Sequence, residues 1–381
     1  MRAYKFRMYL TKEQQILINK TFGCTRFIYN YFLAKKQEQY KATRTSMTAY
    51  ECCKEVKDLV KEYPWLSEID SCALRCAIFN LDNAFKNFYK KRGNYPNFKK
   101  KFGKASYRTN CITSSSKGTD YANIRVDLIN NMIKLPKLKQ VKIRGYRNLT
   151  QLDGRIINAT ISKDASNRYY VSVIVEGVKQ KQCQEIPNNI IGIDLGIKTL
   201  LTTSDGVSYD NRRAITKYEQ RIKRMQRSLS RKQRGSNNYA KAKQKLGVLY
   251  RKLRNTRSYY LHKISKTLTD TNKVIVAETL NIKNMIKNHK LAKAITDASW
   301  YELIRQLKYK SGFKENKFYQ IETKYASSQI CSVCDHKNKE VTNLKVREWQ
   351  CDECGNNHDR DINAAVNIMT KGLEQYIEGL V

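Results

Sequence analysis

The sequence predicts a multidomain α/β protein that holds a polyanion, and three observations predict it. Apolar residues recur at helical spacing through the N-terminal third and again from Tyr218 to Leu268, but alternate like strands between Ala122 and Val178. Two later apolar runs each carry one acid, and two cysteine pairs stand near the C-terminus. The formal net charge is +39, from 73 Lys+Arg against 34 Asp+Glu.

The 381 residues allow two or three domains. A hydrophobic fraction of 41%, with 10% aromatics, is enough to build cores and argues against a disordered chain. So large a positive charge points to nucleic acid, with membrane surfaces as the competing polyanion. No apolar run approaches the roughly 18 residues needed to span a bilayer, and the start MRAYKFRMYLTKEQQ lacks a signal-peptide core. The expectation is a soluble intracellular protein with no membrane partner. Of eleven cysteines, seven are scattered (Cys24, Cys52, Cys53, Cys72, Cys76, Cys111, Cys183) and read as buried thiols. The remaining four cluster as a metal site would, in a reducing compartment.

A short strand is expected over Ala3–Leu10, and Thr11 with Gln14 has the pattern of a capping box. Leu17, Cys24, Ile28 and Tyr31 then recur at helical spacing. A second helix is expected from Asp70, with Leu74, Ile78, Leu81, Phe85 and Phe88 as its core stripe and Ser71, Arg75 and Lys86 on the free face. The basic loop Lys90–Lys104 sets Tyr95, Phe98 and Phe102 among lysines. It fits a surface that neutralises phosphates and stacks bases, and it fits equally a solvated loop whose aromatics cap the core.

Ile124, Val126 and Leu128 alternate, and Arg155–Ser162 with Tyr169–Val175 reads as a hairpin about Asp164–Asn167. A domain boundary is expected at Pro187-Asn188-Asn189. From Tyr218 to Leu268 a strongly basic helical hairpin is expected, broken at Arg234–Asn238. Its inner face carries Ile222, Met225, Leu229, Leu246, Leu249, Tyr250 and Leu253. Few acids balance its Arg and Lys, so a phosphate-facing surface is favoured over a merely solvated one.

Cys331-x-x-Cys334, sixteen residues, then Cys351-x-x-Cys354 is the spacing of two knuckles around one tetrahedral, structural zinc. Two redox pairs would lack the flanking fold of a thioredoxin-like motif. His336 and His358 are spare donors beside a complete set of four. Ile190–Thr199 is an apolar strand carrying Asp194, followed by a second strand, Leu200–Thr203. A mid-strand carboxylate is costly unless it binds something. Ribonuclease-H-like folds present such an acid to divalent metal, and sugar-kinase or actin-like ATPases begin alike. Lys273–Leu280 is a further apolar strand ending in Glu278. His358–Ala365 opens a helix with Asp359 and Asp361, where Asp359 could serve only as a cap. The ordered set Asp, Glu, Asp suits two hard cations needing converging carboxylates, and differs from the Asp, Asp, Glu order of DDE transposases.

With the cysteine element lying between the second and third acids, the chain resembles the TnpB family of transposon-encoded, RNA-guided nucleases, related to compact type V CRISPR effectors. The resemblance runs through Cys24–Tyr29, Asp297-Ala298-Ser299-Trp300, Ser327-Ser328-Gln329 and the block ending in Ala365. It implies an oligonucleotide-binding (OB-like) β-barrel at 1–10 and 105–185, interrupted by a helical recognition bundle at 11–104. It further implies an RNase H-like (RuvC) nuclease domain at 186–322 and 356–381, with a zinc ribbon inserted at 323–355. The family's metal-binding acids fall on Asp194, Glu278 and Asp361, holding two Mg²⁺ ions for phosphodiester hydrolysis. One Zn²⁺ falls to Cys331, Cys334, Cys351 and Cys354. Readers of a short motif beside the target fall on Ser71 and Arg75, and around Tyr50 and Tyr107, Arg108 and Thr109.

Implied partners are a guide RNA from the transposon transcript end and a double-stranded DNA target read by base pairing. The expected state is a monomer in a cytoplasmic, nucleoid-associated ribonucleoprotein of a prokaryote. Asp335 stands where relatives often have Gly, which tests the first knuckle's turn. Thr279 follows Glu278 where an acid, Asn or His is common. The rival readings are a nuclease-inactive RNA-guided DNA-binding regulator, against which the intact acids speak, and a zinc-ribbon DNA-binding accessory factor without a guide.

Overall fold

The structure, a computed structural model, describes residues 1–101, 103, 105–116, 119–145, 150, 152–177, 189–323, 325–343 and 345–378. Phe102, Lys104, Val178, Cys183, Pro187 and Asn188, with the boundary expected there, lie outside them. The chain divides into two compact units, Met1–Lys179 and Gln180–Val381.

In the first unit, β1 (Arg2–Tyr9) alternates Tyr4, Phe6 and Met8 inward with basic residues outward. Three helices follow: α1 (Lys12–Thr43), α2 (Ala49–Glu62) and α3 (Ser71–Tyr89). The strands are then β2 (Ala105–Asn110), β3 (Thr113–Ser116), β4 (Thr119–Ala122), β5 (Arg125–Asp127), β6 (Met132–Leu135), β7 (Lys139–Arg144), β8 (Arg155–Lys163) and β9 (Tyr169–Glu176). Seven make one sheet in the order β2-β8-β9-β1-β7-β6-β5, and β3 with β4 form a separate hairpin. β1 is antiparallel to both β7 and β9, so the N-terminal strand is stitched into the centre of the sheet.

Thr11 and Gln14 form the reciprocal cap of α1. Gln14 Nε2 also donates to Leu138 O and Gln140 O, at 3.2 and 2.9 Å, fixing the helix start against β7. The helix begun at Asp70 is the third, not the second. α2 has its own capping box, Thr48 with Glu51, and buries Cys52, Val56 and Leu59 at helical spacing. Lys86 is not free, because it pairs with Asp82 one turn earlier at 2.8 Å. The β8–β9 hairpin turns on Asp164, whose Oδ1 accepts from Ser166 N and Arg168 N.

The second unit carries a five-stranded sheet in the order β12-β11-β10-β13-β14. Its strands are β10 (Ile190–Asp194), β11 (Thr199–Thr203), β12 (Ser208–Asp210), β13 (Val274–Ala277) and β14 (Lys317–Gln320). β10 and β13 run parallel and are apolar almost throughout, as strands covered on both faces must be. Between β12 and β13 lies the helical hairpin α4 (Ala214–Ser230) and α5 (Asn237–Thr271). Ile222, Leu246, Leu249 and Leu253 form its seam. Tyr250 lies outside that seam, exposed, and accepts from Gln226 at 2.7 Å.

After β13 come α6 (Ile282–Met285), α7 (His289–Ala298) and α8 (Trp300–Phe313). The chain then builds the cysteine element, with β15 (Glu348–Gln350) antiparallel to β16 (Asn357–Asp359), and re-enters the sheet layer as α9 (Arg360–Glu378). Gly192 lets α9 lie directly on β10. A Cβ there would run into the backbone carbonyl of Ala365. Among the described residues no helix is long and apolar enough to cross a membrane.

Candidate functional site

Two adjacent parallel strands deliver the first two acids to one end of the sheet. Asp194 is the last residue of β10, and Glu278 follows β13 directly. Glu278 Oε1 accepts from Leu195 N at 3.1 Å, which ties it to the end of β10. Asp361 arrives from a different direction, in the first turn of α9. Burial raises the Asp194 carboxyl well above its ordinary value, and the charges of Glu278 and then Asp361 raise it further. Arg360 and Arg347 pull it partly back. Burial also lifts Glu278, to about 7, against the lowering effect of the Leu195 N–H. Two raised carboxyls thus stand side by side, with a third acid acting on one of them, and such a set of hard oxygens suits a divalent cation.

The acids do not close into a tight cage. Among the described residues the four cysteines are the group of three or more donors whose ligand atoms lie within 4.8 Å of one another. Asp361 has a partner of its own, because Arg347 Nη1 donates to both its carboxylate oxygens at 3.1 and 3.3 Å. Arg347 precedes β15, and Arg360 N donates to Arg347 O at 2.8 Å. Asp359 caps α9, its Oδ1 accepting from Asp361 N and Ile362 N at 2.9 Å.

The four thiol sulfurs lie within 4.8 Å of one another, and two of their edges have the length a zinc tetrahedron needs. A zinc–sulfur bond of about 2.3 Å implies sulfur–sulfur edges of about 3.8 Å. Cys331 to Cys354 spans 3.7 Å and Cys334 to Cys351 spans 3.6 Å. Asn356 Nδ2 donates to Cys354 Sγ at 3.2 Å and holds that thiol down to about 6, while, against a backbone hydrogen bond from His336, burial and the neighbouring thiols push Cys334 up to about 12. His358 Nε2 lies 3.0 Å from Cys331 Sγ, beside the four thiols, with its ring against Trp349. The knuckle turns match although their residues differ. Asp335 takes φ 58° where Gly355 takes φ 69° in the second knuckle. Each N–H then donates back to the first cysteine's carbonyl, Cys331 or Cys351. Asp335 therefore makes the turn in the left-handed region usually left to glycine.

The motif-reader candidates of the first unit separate into two kinds. Tyr107 is buried edge-on against Phe22, and Thr109 is buried with its hydroxyl given to Asp70. Arg108 reaches the Cys76 thiol. Ser71, Arg75 and Tyr50 are exposed. Ser71 and Arg75 line a cleft of about 910 Å³ between α2, α3 and the sheet. Its floor is apolar (Val56, Leu66, Ile69, Leu74), and Lys57, Lys134, Lys137 and Lys139 join Arg75 around it. Asp70, the acid in its lining, is spent on capping α3 and on Thr109.

In the basic loop, Asn30 pins the Lys99 backbone with two hydrogen bonds, and Lys99 Nζ sits 3.8 Å over the Tyr29 ring. Tyr95 packs edge-on against Phe85 and Phe88, whereas Phe98 stays exposed. A second cationic surface lies along α4, where Lys223, Arg224, Arg227 and Arg231 line one shallow groove.

Sequence reasoning assigned no role to Arg347, Asn363 or Asn367. The asparagines were visible in principle, since buried Asn inside a helix is unfavourable unless it binds something beyond the helix.

Comparison with known proteins adds three family matches. A family described as "Probable transposase" matches residues 172–289, "Cas12f1-like, TNB domain" matches 300–368, and "Helix-turn-helix domain" matches 1–45. Residues 1–45 here are β1 and one long helix. A Streptomyces pristinaespiralis protein named "Putative RNA-guided DNA endonuclease" is 33% identical over 98% of this chain and 89% of its own length. The Escherichia coli K12 "Putative RNA-guided DNA endonuclease InsQ" is 29% identical over 98% and 92%. Among solved structures, a chain of the "Cas12f1-sgRNA-target DNA complex" superposes with TM-score 0.58 at 14% identity, over 93% of this chain and 83% of the other. The "mini-RNA-guided endonuclease CRISPR-Cas_phi3" gives 0.52 at 10%, over 98% and 92%. The fold is thus a Cas12f-like multidomain α/β fold with a cysteine-bearing TNB element.

Proposed function

The chain belongs to the TnpB family of transposon-encoded proteins, and from that premise we propose that it is an RNA-guided, Mg²⁺-dependent DNA endonuclease. The observation that carries the reading is the convergence of Asp194 and Glu278 at the end of two parallel strands, both carboxyls raised, with Asp361 of α9 near enough to raise Asp194 further. Relatives named as RNA-guided DNA endonucleases support the substrate class. The domain assignment goes with it: an OB-like barrel at 1–10 and 105–185, helical recognition at 11–104, RuvC-like nuclease at 186–322 and 356–381, and zinc ribbon at 323–355. The guide RNA comes from the element's own transcript end.

Bound at the three acids, two Mg²⁺ ions would supply an activated water and a Lewis acid for in-line hydrolysis of the scissile phosphodiester. The chain's own part is positional. β10 fixes Asp194, the Leu195 N–H orients Glu278, and the α9 cap at Asp359 aims Asp361. Arg347, half-exposed and forked, can give its guanidinium to a phosphate once Asp361 turns to metal. Basic surfaces on α4 and around the Arg75 cleft hold nucleic acid by its backbone, and Ser71 and Arg75 on that cleft read the adjacent motif.

The test is plasmid cleavage in Mg²⁺ by the purified ribonucleoprotein, with the co-purified RNA sequenced. A matched plasmid should be linearised, and Asp194→Ala should abolish cutting while guided binding stays near wild type. Co-purified RNA unrelated to the element's transcript would reject the guided reading. Undiminished cutting by Asp194→Ala would reject the acid site.

A further inference from the structure

The helix that presents Asp361 is fastened to the cysteine element by hydrogen bonds from its own side chains. Asn363 Oδ1 accepts from Ser332 N at 3.0 Å, and its Nδ2 donates to Ile330 O at 2.7 Å. Ile330 and Ser332 flank Cys331, so one amide grips the backbone on both sides of a zinc-ligand candidate. One turn on, Asn367 Nδ2 donates to Ile330 O and Ser327 O, at 2.7 and 2.8 Å. Both asparagines are buried. Arg360 Nη1 donates to Asn343 O at 2.7 Å. The first turns of α9 are thereby held on one side by the knuckle and on the other by β10, where Gly192 allows backbone contact.

From this geometry we infer that Asn363 and Asn367 are positioning residues through which zinc in the ribbon sets the place of Asp361 against Asp194 and Glu278. The inference rests on reading those acids as the Mg²⁺ site. A knuckle without zinc has no cross-link between its two turns, and the carbonyls of Ser327 and Ile330 then have no fixed place. Two buried amides must follow them or lose their partners, and either response moves the start of α9. Asp361 is two residues from Asn363, so it moves too. Groups that orient a metal's ligands typically change metal affinity by about tenfold or more when removed. Linkage makes the coupling reciprocal: if zinc favours Mg²⁺ at the acids, Mg²⁺ favours zinc at the cysteines by the same factor. A purely structural role for the asparagines predicts that their removal leaves this factor unchanged.

The experiment uses the full-length chain. Zinc affinity is measured by competition with a pyridyl chelator that ignores Mg²⁺, with and without saturating Mg²⁺ at matched ionic strength. Electron paramagnetic resonance of Mn²⁺ reports occupancy of the acids directly. In wild type, Mg²⁺ should tighten zinc about tenfold. The ratio should fall to near one in Asp194→Ala and in the Asn363→Ala/Asn367→Ala double variant. The single asparagine variants carry the same comparison if the double does not fold, with ratios between one and the wild-type value. Loss of fold stability alone would weaken zinc equally with and without Mg²⁺ and leave the ratio at its wild-type value. A wild-type ratio of one, with Mn²⁺ still bound at the acids, overturns the coupling alone. Absence of Mn²⁺ binding overturns the acid site and the coupling with it. A tenfold ratio that survives in the asparagine variants overturns their part.

Discussion

Replacing Glu278 with Gln should stabilise the Mg²⁺-free protein, and by an amount that grows with pH. Burial lifts the Glu278 carboxyl from an ordinary 4.5 to about 7. Between those values the folded protein keeps a proton that the unfolded chain has released. A carboxyl raised in this way contributes stability at low pH that is lost as pH rises from the unfolded value through the folded one. At about 1.4 kcal/mol per pH unit, the ionised group costs the fold about 3 kcal/mol above pH 7, and below about 1 kcal/mol at pH 5. Gln removes that loss and keeps an oxygen to accept from Leu195 N. It also relieves one of the charges holding Asp194 high. Urea unfolding at pH 5 and pH 8, in Mg²⁺-free buffer with zinc left in place, measures the difference. The variant should gain about 3 kcal/mol at pH 8 and little at pH 5, and Mg²⁺ should then stabilise wild type but not the variant. Equal stability at pH 8, or an equal gain at both pH values, would refute the reasoning.

Other expectations follow from single contacts. Gly192→Ala drives a Cβ into the Ala365 carbonyl and the Met369 backbone N. It should destabilise the second unit by about 3 kcal/mol and abolish cleavage, and wild-type unfolding would contradict it. Asp335→Gly relieves a left-handed residue at φ 58°, so the ribbon should hold zinc as well as before and gain about 1 kcal/mol, read by thermal unfolding. Cys331→Ser should release zinc, shown by metal analysis, and lose cleavage while RNA binding changes little; zinc-free wild type would end that assignment. RNA affinity should fall steeply with salt, because a chain of charge +39 releases counterions on binding, and a flat titration would contradict it.

The parts of the site legible in the sequence were those where local composition conflicts with burial. A lone acid inside Ile190–Leu195 and another closing Val274–Ala277 are conspicuous because apolar neighbours make them costly, and the paired cysteines are conspicuous by their spacing. Asp335 stands out only through the family resemblance, as a residue where relatives often have Gly, and the backbone meets that demand by adopting the glycine-like conformation. What could not be read was anything set by register. β15 and β16 pair Glu348 with Asp359 and Trp349 with His358, and only that register brings Arg347 alongside Asp361. Nothing in the linear spacing of fourteen residues specifies it. Tyr107 and Thr109 illustrate the converse. They sit on a strand whose alternation buries them, whereas Arg75 stays exposed because α3 spends Leu74 and Ile78 on its core.

The position of the cysteine element in the chain has a mechanical meaning. It is inserted between β14 and α9, so its last strand, β16, leads straight into the helix that carries the third acid. Asp359 ends that strand and caps the helix, its carboxylate accepting from Asp361 N and Ile362 N. The first turn of α9 therefore takes its direction from the ribbon rather than from the sheet. Downstream, the helix takes its height above the sheet from Gly192 and from Gly372, whose Cβ would strike Val276. Asp361 lies where these two constraints meet. A change in either should move it relative to Asp194 and Glu278, which β10 and β13 hold in fixed parallel register. The third acid is thus the adjustable member of the set, and the Arg347 pair occupies it in this structure.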